Sequence, residues 1–156
     1  MRKIIFLDVD GVLNSHEWWD RRGKLEKGHS YDEFQEHEFD PRAVNRLKKL
    51  IEDTGAEVVL SSVWRLGEEN RAAVRKYGVD FIDCTPQCDS RIRGAEILMW
   101  IRDNVPKYYD EGVLKYAILD DDSDMLLWQK DSFFQTDYKI GLTDEICDKV
   151  RKHFDC

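Results

Sequence analysis

Four consecutive apolar residues, Ile4-Ile5-Phe6-Leu7, run directly into Asp8-Val9-Asp10-Gly11-Val12-Leu13 near the start of the chain. A strand without polar alternation has no face to give to water. It must be covered on both sides, which restricts the chain to layered α/β arrangements around a parallel sheet. Such sheets bind ligands beyond the carboxyl ends of their strands, and Asp8 and Asp10 stand at such an end. On an extended segment the two carboxylates share a face, and about 4 Å apart they repel by about 4 kcal/mol at an effective dielectric near 20. The repulsion needs an opposing partner. Either a divalent cation suited to hard oxygen ligands supplies it, or a proton held on one member, which makes that member a general acid. Gly11 permits a sharp exit where a Cβ would crowd a ligand. Taken alone, the hexapeptide also satisfies a plain polar turn, because Asp and Gly are common turn residues.

The rest of the chain alternates between strand and helix patterns. Asp40-Pro41 supplies an N-cap with proline at the first helical position, Val44, Leu47, Leu50 and Ile51 recur at helical spacing, and Gly55 ends that helix. Val58-Val59-Leu60 reads as a strand running into Ser61-Ser62. A helix from Glu69 to Tyr77 stops at Gly78, and a short strand is expected around Phe81-Ile82. Ile97, Leu98, Ile101 and Val105 mark a helix that begins near Arg93-Gly94. Tyr116-Ala117-Ile118-Leu119 is a strand ending in Asp120-Asp121-Asp122. Phe133-Phe134 suggests a last strand, and Thr143 with Asp144-Glu145 opens a C-terminal helix whose apolar face includes Ile146 and Val150. This order predicts an α/β fold with a doubly wound, mostly parallel sheet, in one domain over residues 1–156. The stretch from Asn14 to Phe39 shows no clear period and reads as a small insertion or flap near the site.

At 156 residues the chain is long enough to bury roughly two-thirds of its unfolded surface without disulfides or metal staples. No stretch approaches the roughly eighteen apolar residues of a membrane span. Acidic residues interrupt the first apolar run after four positions, unlike a signal peptide, so a soluble, cytoplasmic protein is expected. Cys84, Cys88, Cys147 and Cys156 include no CxxC pair, and His16, His29, His37 and His153 fall in no zinc register, so reduced structural thiols are expected. A net charge of −8 argues against strong non-specific binding to duplex nucleic acid, which needs many phosphates neutralised. The compact basic clusters are Arg21-Arg22-Gly23-Lys24 and Arg91-Ile92-Arg93.

Polar residues end three of the apolar strands: Asp8 with Asp10, Ser61 with Ser62, and Asp120 with Asp121. Three strands thus aim oxygen groups at one crevice. Phosphoryl transfer needs a nucleophile, neutralising charge and an acid for the leaving oxygen. Asp8 suits the nucleophile, forming an aspartyl-phosphate, and Asp10 suits the acid that protonates the leaving alkoxide and then activates water. Mg²⁺ held by Asp8, the Asp10 backbone carbonyl and one or more of Asp120, Asp121 and Asp124 would bring the carboxylate and the phosphate together. The Ser61 hydroxyl and neighbouring amides suit phosphoryl oxygens, and Arg93 at a helix N-terminus adds positive charge. Individually these features are ordinary: acidic runs are often solvated loops, and a lone arginine is usually on the surface.

With these residues in place, the chain resembles phosphatases of the haloacid dehalogenase (HAD) superfamily. That family's first motif, DxDGx[TVL], is matched by Asp8 to Leu13, and the serine or threonine of its second motif falls at Ser61 or Ser62. The basic residue of its third motif falls at Arg93 or Arg91, with Arg93 preferred because it precedes the Gly94-Ala95-Glu96 helix start. The acidic fourth motif falls at Asp120-Asp121. More narrowly, Leu60-Ser61-Ser62-Val63-Trp64-Arg65, Thr85-Pro86, Arg93 to Ile97, Leu119 to Asp122 and Gly141-Leu142-Thr143 are similar to the HAD-type domains of multi-domain RNA repair proteins and phage proteins. The resemblance implies a Rossmann-like core, Mg²⁺ and an aspartyl-phosphate mechanism. Val12 stands where many of these phosphatases have threonine.

In that family large insertions act as caps over small substrates. Here the first insertion is short and the segment between Ser62 and Arg93 leaves no room for a large cap domain, so an open site is expected. An open site accepts a phosphorylated polymer end, such as a nucleic-acid 3′-phosphate, as well as a nucleotide. Trp18, Trp19, Tyr31 and Trp64 are candidates for base stacking, although aromatics in a small domain are more often core. Arg65 is a candidate phosphate or substrate contact. The competing functions are a small-metabolite phosphatase, a phospho-accepting signalling module and an idle interaction domain. The signalling module is disfavoured because receivers place the phosphoacceptor on the third strand. Clustered like charges without a ligand count against the idle domain.

Overall fold

The computed structural model describes residues 1–26, 39–105 and 112–155. Strand β1 (Arg2–Leu7) lies at the centre of a five-stranded sheet with β2 (Glu57–Leu60), β3 (Asp83–Cys84), β4 (Leu114–Asp120) and β5 (Phe133–Gln135). The order is β3-β2-β1-β4-β5, and every adjacent pair is parallel. The helices are α1 (His16–Glu26), α2 (Pro41–Thr54), α3 (Glu68–Lys76), α4 (Arg93–Asn104) and α5 (Asp144–Asp155). The expected doubly wound α/β fold is present, with a sheet that is parallel throughout its named strands.

The apolar run explains why β1 takes the centre. Ile4 and Phe6 join a core layer with Val59, Ile118 and the α4 residues Ile97, Trp100 and Ile101. Ile5 and Leu7 face the opposite layer, with Val58, Leu60, Leu119, Leu47 and Leu50 of α2, Val74 of α3 and Val150 of α5. Alternate residues thus serve two covered faces, and each buried aliphatic or aromatic side chain contributes about 1.5–3 kcal/mol. Helix α2 is capped as its sequence predicts: Asp40 Oδ1 accepts the Arg42 N–H at 3.0 Å, and left-handed Gly55 donates its N–H to Ile51 O. At α5 the Thr143 hydroxyl accepts the Ile146 N–H.

Two elements differ from the sequence reading. The strand expected around Phe81-Ile82 lies further along, at Asp83–Cys84. Phe81 is spent on the core and on stacking under the Arg75 guanidinium, 3.8 Å from its ring centroid. The edge strand then tolerates a carboxylate because the Trp100 indole N–H donates to Asp83 at 2.8 Å. The stretch that shows no period contains α1, started by the Ser15 hydroxyl accepting the Trp18 N–H. Trp18 is buried while Trp19 and Asp20 are exposed, too narrow an apolar stripe to register as helical periodicity. The second half of that stretch, with Tyr31, His29 and His37, lies outside the described residues, as does Cys156. Among the described residues no helix is long and apolar enough to cross a membrane.

Candidate active site

The sheet register assembles the site. Leu7 is paired with Leu60 on one side and Leu119 on the other, so the next residues, Asp8, Ser61 and Asp120, form one row at the carboxyl end of the sheet. Backbone bonds continue the ladder: Asp8 N–H to Leu119 O at 2.9 Å and Ser61 N–H to Leu7 O at 2.8 Å. Alternation places all three side chains on the layer covered by α4, whose first turn bears Arg93 and Glu96. The row spans the point where the connections leaving β1 and β4 diverge to opposite sides, which is where open α/β sheets bind ligands.

Asp10 departs from the expected shared face. β1 ends at Leu7, and the chain turns through Gly11 at φ +78°, with the N–H groups of Val12 and Leu13 both donating to Val9 O. Asp10 is consequently exposed in a turn, and the carboxylates gathered with Asp8 are Asp120 and Asp121. The loop is held from behind, since the buried Thr136 hydroxyl donates to Gly11 O at 2.8 Å and the Leu142 N–H donates to Val12 O.

One carboxylate oxygen from each of Asp8, Asp120 and Asp121 lies within 4.8 Å of the other two. Burial drives the Asp8 carboxyl up to about 6, against the Val9 N–H and the Arg93 charge that favour its ionised form. Burial and then the charge of Asp8 drive Asp120 up to about 9. Three converging hard oxygens in a partly desolvated pocket suit a small divalent cation such as Mg²⁺. The shape of the loop agrees: a Cβ on Gly11 would lie 2.3 Å from Asp121 Oδ2. Gly11→Ala is therefore expected to displace Asp121, to strain the left-handed backbone by about 1–2 kcal/mol, and to weaken Mg²⁺ binding by calorimetry. Unchanged affinity would remove Asp121 from the candidate ligands.

The same pair of carboxyls makes stability depend on pH. Both titrate above their ordinary value of 3.8, so over that range the folded chain holds protons that the unfolded chain has released. Stability of the metal-free protein should thus fall as pH rises from about 4 through about 6 and on towards about 9. Because metal ligands must be deprotonated, the rise in Tm on adding Mg²⁺ should grow over the same interval. Melting curves at pH 5, 7 and 9 check this, and a Mg²⁺ effect independent of pH would contradict it.

The other candidates separate. Arg93 Nε lies 3.6 Å from Asp120 Oδ2, and its Nη1 lies 3.5 Å from Glu96 Oε2. Arg91 is exposed in a left-handed conformation at φ +54°, so it is Arg93 that faces the aspartates. Its approach depends on Gly94, where a Cβ would lie 2.6 Å from Leu126 N. Asp124 is directed to the helix instead of the cluster: Oδ2 accepts the Arg93 N–H at 2.9 Å and its carbonyl accepts the Gly94 N–H. Among the described residues Ser61 Oγ is buried with no hydrogen-bond partner, while the Ser62 hydroxyl accepts the Trp64 N–H.

Arg65, expected as a phosphate or substrate contact, turns inward. Its Nε donates to Thr85 O at 2.9 Å, Nη1 to Ser62 O at 2.7 Å and Nη2 to Glu96 Oε2 at 2.9 Å, and the side chain is 4% exposed. Three acceptors inside the protein match the guanidinium fork, so Arg65 ties the β2 loop to β3 and α4. Glu96 completes the junction by accepting the Cys88 N–H. Asn14 and Glu96 were not legible as site residues because their significance lies in contacts: Asn14 donates to Asp10 at 2.8 Å, and Glu96 lies between two arginines.

One family, described as the HAD domain in Swiss Army Knife RNA repair proteins, matches residues 4–147, from within β1 to the first turn of α5. No curated protein and no solved structure matches the chain. With the match taking in the aspartate cluster, both strand-end serines and Arg93, the chain belongs to the family of HAD domains in Swiss Army Knife RNA repair proteins, which supports a phosphatase-type hydrolase in general.

Proposed function

We propose that this chain is a Mg²⁺-dependent phosphomonoesterase that works through an aspartyl-phosphate on Asp8. Its substrates are phosphorylated nucleic-acid ends, foremost 3′-phosphates, or nucleotides. The convergence of Asp8, Asp120 and Asp121 beside Arg93 carries this reading. Asp8, Asp120, Asp121 and the Asp10 backbone carbonyl would hold Mg²⁺, with Asp124 kept to the helix cap. When bound, the ion supplies the positive charge that lets a carboxylate approach a phosphate dianion.

The chain's own groups supply the rest. An Asp8 oxygen attacks phosphorus in line with the leaving oxygen. Arg93, already paired with Asp120, stabilises equatorial phosphoryl oxygens, and Ser61 with nearby amides offers donors to them. Asp10, exposed at the mouth, protonates the leaving alkoxide and then takes a proton from the attacking water. We read residues 1–156 as one domain. The free thiols Cys84, Cys88 and Cys147 agree with a reducing compartment such as the cytoplasm.

The nucleic-acid assignment draws on the RNA repair proteins named in the family description. Its test is Mg²⁺-dependent phosphate release from 3′- and 5′-phosphorylated oligonucleotides, mononucleotides and sugar phosphates. Selective release from one oligonucleotide end is the expected result. Preference for sugar phosphates would make the protein a small-metabolite phosphatase, and silence across the panel would leave an idle interaction domain.

A further inference from the structure

Asp10 stands outside the buried cluster, yet one of its oxygens is doubly held. Oδ1 accepts from Asn14 Nδ2 at 2.8 Å and from Trp64 Nε1 at 3.2 Å. The orientation of Asn14 is fixed, because its own Oδ1 accepts the Gly11 N–H at 2.9 Å and its amide nitrogen must then face Asp10. Trp64 reaches in from the turn Val63–Arg65 that comes after β2. The Ser62 hydroxyl accepts its backbone N–H, and its ring stands edge-on to the buried Phe39 with centroids 5.3 Å apart. Donors from the β1 and β2 loops thus converge on Oδ1. Among the described residues none donates to Oδ2.

We propose that Trp64 and Asn14 are positioning residues that clamp Asp10 so that Oδ2 is the oxygen that carries the catalytic proton. The clamp rests on the phosphomonoesterase reading above. Two N–H donors fill the acceptor sites of Oδ1, so a proton placed there would meet them head-on. They also stop the carboxyl group from rotating, which keeps Oδ2 directed to the leaving group. In the first step a bond forms between an Asp8 oxygen and phosphorus and the bond from phosphorus to the ester oxygen breaks. The Oδ2 proton passes to that oxygen, and an alcohol leaves. In the second step a water oxygen bonds to phosphorus, one water proton passes to Oδ2, and the bond between phosphorus and Asp8 breaks to release phosphate. Base stacking is not needed to explain the place of Trp64.

An alkyl ester needs the proton, whereas p-nitrophenolate leaves without it. Trp64→Phe removes one donor. Asn14→Asp keeps the acceptor for the Gly11 N–H but sets a carboxyl group beside Oδ1, so that a proton is shared there, away from Oδ2. For each variant kcat on a 3′-phosphorylated oligonucleotide should fall about 10- to 100-fold, a share of the 10²–10⁴ typical of general acid catalysis. The loss on p-nitrophenyl phosphate should be about tenfold smaller, because its leaving group draws little on the acid, and KM should change little. Added to Asp10→Asn, neither substitution should cost anything further. Equal losses on both esters, or additive losses with Asp10→Asn, in an enzyme whose turnover depends on Asp8 would overturn the clamp alone. Absence of Asp8-dependent turnover on either ester would overturn the clamp together with the phosphatase reading. Asn14→Asp carries the same comparison should Trp64→Phe fail to fold.

Discussion

Asp8→Asn is expected to abolish phosphate release, by about 10⁴-fold or more, as removal of a nucleophile does in other covalent mechanisms. The amide matches the carboxylate in shape, so the loss should come without unfolding. It also removes one member of a buried like-charge pair. Asp120 is driven up partly by the charge of Asp8, and with that charge gone the metal-free variant should melt above wild type at pH 8. Loss of function joined to a gain in apo stability would mark a residue retained for chemistry at a cost to the fold. Phosphate-release assays and melting curves on the same preparations check both halves. Full activity in Asp8→Asn would end the aspartyl-phosphate mechanism.

The largest expected stability effect belongs to Arg65. Its side chain and that of Glu96 are 4% and 5% exposed, with Nη2 2.9 Å from Oε2. Arg65→Met leaves Glu96 buried without its nearer cation, and breaking such a pair from one side costs about 3–5 kcal/mol. Thr85 O loses its donor as well, and Ser62 O is left with the backbone N–H of residue 65. The remaining cation near Glu96 is Arg93 at 3.5 Å, so the variant should also draw Arg93 away from Asp120 and lower activity beyond what unfolding explains. Urea titration of Arg65→Met, Glu96→Gln and the double variant measures the coupling. The double variant should lose less than the sum of the singles, because an unpaired buried charge is then absent. Strict additivity would show that the two groups act independently.

These residues mark the boundary between what local sequence encodes and what it does not. The helix caps at Asp40 and Gly55 are readable because a cap is a contact within one turn. The strand at Asp83–Cys84 escapes sequence reading because an edge strand of two residues carries no period, and α1 escapes it because, among its described side chains, Trp18 alone is buried. Arg91 and Arg93 compete in sequence, and backbone geometry separates them: Arg91 is exposed at positive φ, whereas Arg93 opens α4 under the sheet row. Asp121 and Asp124 likewise fall together in one acidic run. The first joins Asp8 and Asp120, and the second caps α4.

The sequence by itself determined the parallel sheet and the end of it that carries polar chemistry. Ile4 to Leu7 and Tyr116 to Leu119 have no polar face and must be covered twice, and the aspartates next along the chain must then sit at the strand ends. Only the tertiary structure decided which of those polar groups meet. Register aligned Asp8 with Ser61 and Asp120, the turn at Gly11 carried Asp10 out to Asn14 and Trp64, and burial turned Arg65 towards Glu96. Apart from the local contact between Asp10 and Asn14, each of those choices joins segments distant in the chain, where strand pairing and packing, not local periodicity, set the geometry.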